Sequence, residues 1–319
     1  NRPTAEALCQ LVAGVPLAIK LAATWLRVMP LTDIVDALKQ DLDLLTSRLR
    51  DVPARQRSMR VIFEQSWSLL TPAEQEAFGN LSVFRGGFSA DAAKQVTAVS
   101  PYLLVGLIDR GLLQFGNNRY DIHELTRQFA AEKLALRPNA NEVRQRHSIY
   151  YLQDIVCRSE NNLQGSDPLP VVNSLKEKLA NIRQAWWWAV EHEALSLIAR
   201  VVGAMTTFFE ITGLMGEGGE LFGEAAVRLA ASPSTPEKAI IISHLQMKQA
   251  FLGHFHKAGT EELTLLEQAR NVIDQQQDQQ RLAEFYYIRG SVRGQIGQLE
   301  LAREDFVKAR GMFHEQGRR

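Results

Sequence analysis

The chain has 319 residues, of which 45% are hydrophobic and 23% charged, the balance of a globular protein with a proper core. Lys plus Arg equals Asp plus Glu at 36 each, and neither the first 140 residues nor the rest is strongly charged, which removes the electrostatic footprint of a dedicated nucleic-acid binder. Cys9 and Cys157 stand far apart without C-x-x-C spacing, so no disulfide framework or zinc site is written, and a reducing cytoplasm fits best.

At roughly 100–200 residues per domain, the length predicts two or three domains. No run of 18 apolar residues and no signal-peptide pattern occurs, so neither membrane spanning nor secretion is expected. The chain opens without an initiator Met and reads as a fragment of a longer protein.

Residues 1–50 read as a small helical domain. Thr4 before Ala5-Glu6-Ala7 marks a helix start with Thr4 as cap. Gly14-Val15-Pro16 ends that helix and Pro16 opens another, in which Leu17, Leu21, Trp25 and Val28 recur at helical spacing until Pro30. Thr32 and Asp33 then introduce an amphipathic run through Ile34, Leu38, Leu42, Leu45 and Leu49.

Residues 51–136 follow a boundary near Asp51-Val52-Pro53. Met59, Ile62, Phe63, Ser66, Trp67 and Leu70 are helically spaced. Thr71-Pro72-Ala73-Glu74 has the form of a capping box, with Pro at the first helical position, and its helix carries Phe78, Leu81 and Phe84 to Gly86-Gly87. Ser89 caps the next helix, and Pro101 opens a helix from Tyr102 to Leu113. Two short alternating runs, 112–115 and 119–122, flank Gly116-Asn117-Asn118 and predict a hairpin. A final helix spans His123 to Leu136. Four helices, a two-stranded wing and a helix make a winged-helix arrangement. Its groove-entering helix would be Tyr102–Leu113, which offers Arg110 and Asp109 among apolar residues and reads as buried all round; direct reading of DNA bases is not expected.

Connecting helices occupy residues 137–194: a long helix from Glu142 to Cys157, a Gly-Ser-Asp-Pro loop at 165–168, and a helix bearing Trp186-Trp187-Trp188. Three successive Trp point in three directions, so the helix is expected to be buried at a junction, with core packing preferred to a ligand platform. Residues 195–319 repeat. Segments around Ala226, Ala269 and Ala309 align at spacings of 43 and 40, and each follows a second helix separated by Gly213, by His256-Lys257-Ala258-Gly259, or by Gly297. Helix pairs at that period make an α-solenoid. The third pair, with Tyr287, Gly290, Gly294, Gly297, Leu299, Ala302 and Ala309, resembles a tetratricopeptide repeat, and its exit at His314-Glu315-Gln316-Gly317 looks like a turn into another. The fold class is therefore mainly all-α: a small helical domain, a winged helix with a short hairpin, then a solenoid.

No catalytic constellation stands out. His254-Phe255-His256 has i, i+2 spacing without a nameable third metal ligand and reads as loop surface. Gly216-Glu217-Gly218-Gly219 follows no strand and reads as a solenoid turn rather than a phosphate cradle. There is no G-x-x-x-x-G-K-[ST], H-E-x-x-H or G-x-S-x-G, so the chain is not expected to be an enzyme on its own.

Gly14-Val15-Pro16-Leu17-Ala18 followed by Leu21-Ala22-Ala23 resembles the G-x-P, or GLPL, motif of the STAND nucleotide switches, the NB-ARC/AP-ATPase group. Arg57-Ser58 with Ser66-Trp67, the run Leu81-Ser82-Val83-Phe84-Arg85-Gly86-Gly87-Phe88, and Tyr120-Asp121-Ile122-His123-Glu124-Leu125 look like its bacterial transcriptional-regulator branch. The last is similar to the family's M-H-D signature at the junction of wing and final helix, with Ile122 for Met and Glu124 for Asp. The resemblance covers residues 1 to about 136 closely and the repeats more loosely.

It implies that Pro16 packs against the adenine of ADP and that His123 hydrogen-bonds the β-phosphate, holding the winged helix closed. A proline offers a rigid apolar face, and an imidazole a donor tunable near neutral pH. It also implies that the phosphate loop and the Mg²⁺-binding acidic motif lie in other parts of such proteins. ADP or ATP would then be held by a full-length, slowly hydrolysing protein and only weakly by this chain. The expectation is the C-terminal portion of a cytoplasmic, nucleotide-dependent signalling switch or transcriptional regulator. Its repeats would bind a peptide or protein, and it would self-associate on activation, without direct nucleic-acid or membrane contact. The alternatives are a non-enzymatic repeat scaffold and a winged-helix DNA-binding regulator.

Overall fold

The computed structural model describes residues 2–11, 19, 22–23, 25–27, 29–40, 59–159, 169–253 and 259–315. The chain divides into two compact units, Asn1–Tyr150 and Tyr151–Arg319. Among the described residues sixteen α-helices, one 3-10 turn and one two-stranded sheet form an all-α fold with a single small hairpin.

The first unit opens with α1 (Arg2–Leu11), a 3-10 turn at Trp25–Arg27 and α2 (Leu31–Gln40). Helix α1 begins at Arg2, so Thr4 lies inside its first turn instead of capping it. Pro3 is tolerated there because an N-terminal turn has no use for the missing N–H. The expected helices from Leu17 to Val28 and past Gln40 fall largely outside the described residues, and Trp25–Arg27 takes the tighter 3-10 form. Leu8, Ala22, Ile34, Val35 and Leu38 are buried together with Leu125 and Phe129, which belong to the winged helix. The small helical domain and the winged helix thus share one core.

That winged helix comprises α3 (Met59–Ser68), α4 (Pro72–Leu81), α5 (Ala90–Thr97), α6 (Pro101–Asp109), β1 (Gln114–Gly116), β2 (Arg119–Asp121) and α7 (Glu124–Ala135). Local chemistry fixes most of its boundaries. The Thr71 hydroxyl accepts from the Glu74 amide while the Glu74 carboxylate accepts from the Thr71 amide, a reciprocal capping box with Pro72 at the first helical position. Ser89 and Ser100 cap α5 and α6 in the same way, each accepting from a first-turn amide.

Helix α6 ends at Asp109 rather than Leu113. Gly111 turns left-handed at φ 70°, and the amides of Leu112 and Leu113 bond back to the Leu107 carbonyl at 3.0 and 3.3 Å. In the hairpin, Gln114 faces Asp121, Phe115 faces Tyr120 and Gly116 faces Arg119. Asn117 and Asn118 both lie at positive φ (52° and 59°), as a two-residue turn of the primed type requires. Phe88 pairs with Tyr120 through backbone hydrogen bonds of 2.9 and 2.8 Å, anchoring the wing to the segment before α5.

The second unit continues α8 (Ala140–Arg158), whose residues span the division at Tyr150 and Tyr151. It adds α9 (Leu169–Glu177), α10 (Leu179–Glu191), α11 (Leu195–Thr212), α12 (Met215–Ala230), α13 (Pro236–Gly253), α14 (Thr260–Gln276), α15 (Gln279–Gln295) and α16 (Leu299–Glu315). Successive helices from α12 to α16 pack on one another. Gly213 and Gly297, at φ 73° and 82°, make the tight links α11–α12 and α15–α16. The aligned alanines Ala226, Ala269 and Ala309 are all buried, where small side chains let neighbouring helices approach.

Gly216-Glu217-Gly218-Gly219 forms the start of helix α12, not a turn. A Cβ on Gly218 would lie 2.6 Å from the Phe209 ring, so its role is close helix packing. His254-Phe255-His256 lies outside the described residues.

The three Trp of α10 do point three ways. Trp186 is fully buried with its ring 5.6 Å from that of Phe222, and Trp188 stacks on His192 at 4.3 Å. The Arg228 guanidinium sits 4.3 Å over Trp187. Helix α11, taken as a whole, is long and apolar enough to cross a membrane by length and composition, although its sequence contains Arg200 and Glu210. Its Ile198, Val201, Val202, Met205, Phe208 and Phe209 are instead buried among the repeat helices.

Candidate functional site

The junction between wing and α7 brings one cluster of charged residues together. His123 stands two residues past the end of β2, outside the helical region at φ -58° and ψ 136°, and its carbonyl receives the Arg127 amide at 2.8 Å to start α7. Its side chain makes no capping bond to the helix, and the residue is half-buried.

Next to it, the Glu124 carboxylate accepts from Arg127 at 2.8 and 2.7 Å, from Gln128 at 3.1 Å and from Arg85 at 3.1 Å. Desolvation opposes its ionisation, but the Arg127 hydrogen bonds and charge, with Gln128 and Arg85, outweigh that and hold its pKa below the ordinary glutamate value. Arg127 is buried and also donates to the Ser82 carbonyl at 3.2 Å. Arg85 is pulled below the usual arginine range by desolvation and by the like charge of Arg127, against the attraction of Glu124.

On the wing side, Arg119 donates to the Gly87 carbonyl. Gly86, at φ 74°, makes the turn, and a Cβ on Gly87 would meet the Arg119 guanidinium at 2.9 Å, so the Gly86-Gly87 pair is what lets the arginine close down. Desolvation pushes the Asp121 carboxyl above its ordinary range, against the Ile122 amide and the charges of His123 and Arg119. Three arginines and a histidine therefore face two carboxylates at the N-terminus of a twelve-residue helix. The start of the helix adds partial positive charge to the cluster.

Of the two residues singled out by sequence, the structure places His123 at this junction, while Pro16 lies outside the described residues. Gln128, one turn into α7, donates to the Leu38 carbonyl of α2 at 3.4 Å, so the His123 helix is tied to the helical domain as well as packed on it. Sequence reading missed Arg85, Arg119 and Arg127 as members of the cluster. The Arg-Gly-Gly run was the available signal, since two glycines after a helix leave room for a bulky neighbour.

It also misjudged α6. Leu104 and Leu107 are buried, but Tyr102 is 84% and Val105 54% exposed, so one face is open. Arg110 turns back to Glu74 at 2.9 Å.

A second polar cluster lies in the repeats. His244 on α13 is half-buried beside the ion pair of Lys248 with Glu284, and its enclosed Nδ1 has no hydrogen-bond partner. Burial first, then the Lys248 charge, pushes its pKa down to about 4. No group of three metal-ligating side chains occurs among the described residues.

No family model matches the chain. Over 212 residues it is 32% identical to proteins described as candidate HTH-type transcriptional regulators in Mycobacterium tuberculosis and Mycobacterium bovis; the match covers 62% of this chain and 24% of theirs. A second match, 29% identical over 156 residues, is to an uncharacterized protein of the same two species and covers 45% of this chain and 40% of that one. Among solved structures, a Signal Transduction ATPase with Numerous Domains (STAND) protein with a tetratricopeptide repeat sensor from Pyrococcus horikoshii aligns at 15% identity and a TM-score of 0.44, over 92% of this chain and 46% of that one. In sequence, then, the chain is similar to mycobacterial proteins described as candidate HTH-type regulators, and it spans about a quarter of their length.

Proposed function

We propose that this chain is the lid, winged-helix and sensor portion of a bacterial STAND-type signalling switch or transcriptional regulator whose closed state holds ADP. The observation that carries the reading is the position of His123. It starts the helix whose Leu125 and Phe129 enter the core of the small helical domain, so a group held by its ring bears on both domains at once. Arg85 and Arg127, bonded to Glu124, and Arg119, bonded to the Gly87 carbonyl, place positive charge in the same neighbourhood. The relatives' description as regulators supports the same class of protein.

His123 would donate to a phosphate oxygen, and Pro16 would cover the base. Arg85 would add charge from the Gly86-Gly87 turn. The bound nucleotide supplies a ligand whose affinity differs between closed and open forms, which is the condition for any switch. The repeats would take a peptide or protein signal, and release of the winged helix would allow exchange and self-association of the full-length, cytoplasmic protein. Without a phosphate loop in this chain, hydrolysis and strong nucleotide binding belong to that longer protein.

The test uses the full-length natural protein, purified gently and denatured, with its released small molecules identified by chromatography. Near-stoichiometric ADP is expected, and His123→Ala should lower ADP retention and raise basal output. A protein that carries no nucleotide and takes up none would overturn the reading in favour of a scaffold.

The relatives' HTH description favours one other reading, a duplex-binding regulator. Against it, the open face of α6 presents Tyr102, Val105 and Asp109 rather than the Arg, Lys, Asn or Gln that read base edges. Duplex binding that weakens steeply with salt would restore it.

A further inference from the structure

Phe84-Arg85-Gly86-Gly87-Phe88 runs between α4 and α5 without regular helix or strand and makes contacts of two kinds. The rings at its ends are each 1% exposed and stack on one another at 4.1 Å, 15° from parallel. Phe84 also meets the His147 ring of α8 edge-on at 5.5 Å, and His147 is itself buried.

Between the two rings the segment serves the wing and α7. Arg85 donates to Glu124 at the start of α7 at 3.1 Å, and the Gly87 carbonyl accepts from Arg119 of β2. The Phe88 backbone exchanges two hydrogen bonds with Tyr120 of β2, and the two rings stack at 5.9 Å. Just upstream, the Ser82 carbonyl accepts from Arg127 of α7 at 3.2 Å. One short segment therefore holds both walls of the junction while it packs on α8. The first half of α8 is fastened close by: Arg146 donates to the Val96 carbonyl at 2.8 Å and Tyr150 to the Asp91 carboxylate at 3.0 Å, both on α5. Helix α8 then runs on past Tyr150.

We infer that residues 84–88 form a mechanical relay, in which the seating of His147 against Phe84 sets whether Arg85 and the Gly87 carbonyl hold the wing and α7 in place. The basis is packing: close-packed rings are seated or unseated, and are not continuously deformable. Phe84 cannot leave its place without disturbing Phe88, because their rings are in contact, and Phe88 carries the two backbone bonds to Tyr120. Helix α8 is thus the input and the junction the output. The relay needs no nucleotide, so it stands or fails separately from the proposed switch.

The test perturbs each end of the relay in the 319-residue chain and reads the other, since coupling between two sites is reciprocal. From the α8 side, His147→Ala is examined by residue-resolved hydrogen exchange at the Tyr120 amide, which donates to the Phe88 carbonyl. Exchange there is expected to speed by about tenfold or more, with the Phe129 amide inside α7 unchanged as the gauge of general opening. His147→Phe keeps a ring against Phe84 and should restore the original rate. Tyr150→Phe, which removes the bond to Asp91 from the same helix, should leave Tyr120 alone. If His147→Ala does not fold, Phe84→Leu breaks the same contact with a smaller loss and should speed Tyr120 alike. From the junction side, Gly87→Ala puts a Cβ 2.9 Å from the Arg119 guanidinium and should shift the His147 ring resonances in NMR spectra. An unchanged rate at Tyr120, or equal acceleration at Phe129, would overturn the relay. So would His147 resonances that stay put in Gly87→Ala, or the same acceleration in His147→Phe or Tyr150→Phe.

Discussion

His244 is a residue whose protonation the fold resists. Lys248 and Arg281 disfavour its charge, Glu284 and Asp278 favour it, and burial tips the balance toward the neutral ring at a pKa of about 4. In the unfolded chain the same ring titrates near its ordinary value of about 6.5. Between those values the unfolded state binds more protons, so stability is full above about pH 6.5 and falls as pH drops toward 4, by at most about 1.4 kcal/mol per pH unit. Urea unfolding across that range should show the slope, and His244→Gln should flatten it. An unchanged slope in the variant would assign the loss to other groups. Glu284 is held below the ordinary glutamate range by Lys248 despite its own burial, so its contribution disappears only at lower pH. None of this was visible in the sequence, because Lys248 alone of its charged neighbours is close along the chain, and Asp278, Arg281 and Glu284 are brought to it by folding.

At the scale of elements, glycines in helices separate into two kinds. Gly218 in α12 has the Phe209 ring 2.6 Å from where a Cβ would stand, whereas Gly203 in α11 is exposed with nothing within 4 Å. Gly218→Ala should therefore destabilise by about 1–3 kcal/mol through overpacking. Gly203→Ala should stabilise by about 0.5–1 kcal/mol through helix propensity. Denaturant midpoints of the two variants decide it, and two changes of the same sign would refute the distinction. The contrast also marks what could be read from sequence. Thr71-Pro72-Ala73-Glu74, Ser89 and Asn117-Asn118 were legible because a cap or a two-residue turn is satisfied by atoms a few positions away. The Gly216–Gly219 run was misread as a turn, and α6 as buried on every face, because helix packing and exposure are decided by partners distant in sequence. Thr4 shows the converse error: a local cap signal that the chain overrode, its helix already running from Arg2, three residues before Ala5.

For the whole molecule, the mainly helical fold with its single hairpin was recoverable because apolar residues recur at helical spacing along the chain. The candidate site was half legible. His123 was singled out through its motif and Arg127 lies one turn on in the same helix, but Arg85 comes from the loop before α5 and Arg119 from the wing, and only folding brings them near. The shared core of the first unit has a further consequence. Ile34, Val35 and Leu38 are buried against Leu125 and Phe129, and Gln128 ties α7 to the backbone of α2, so these contacts join segments on either side of the Arg50–Asp51 peptide bond. That covalent link should then be dispensable. Residues 1–50 and 51–319, co-expressed as separate polypeptides, are expected to copurify through affinity capture of either piece; recovery of the larger piece alone would show the interface too weak to stand without the tether. A boundary that reads as the edge of a domain is, on this geometry, a place where the gene could be cut in two and the protein would still reassemble.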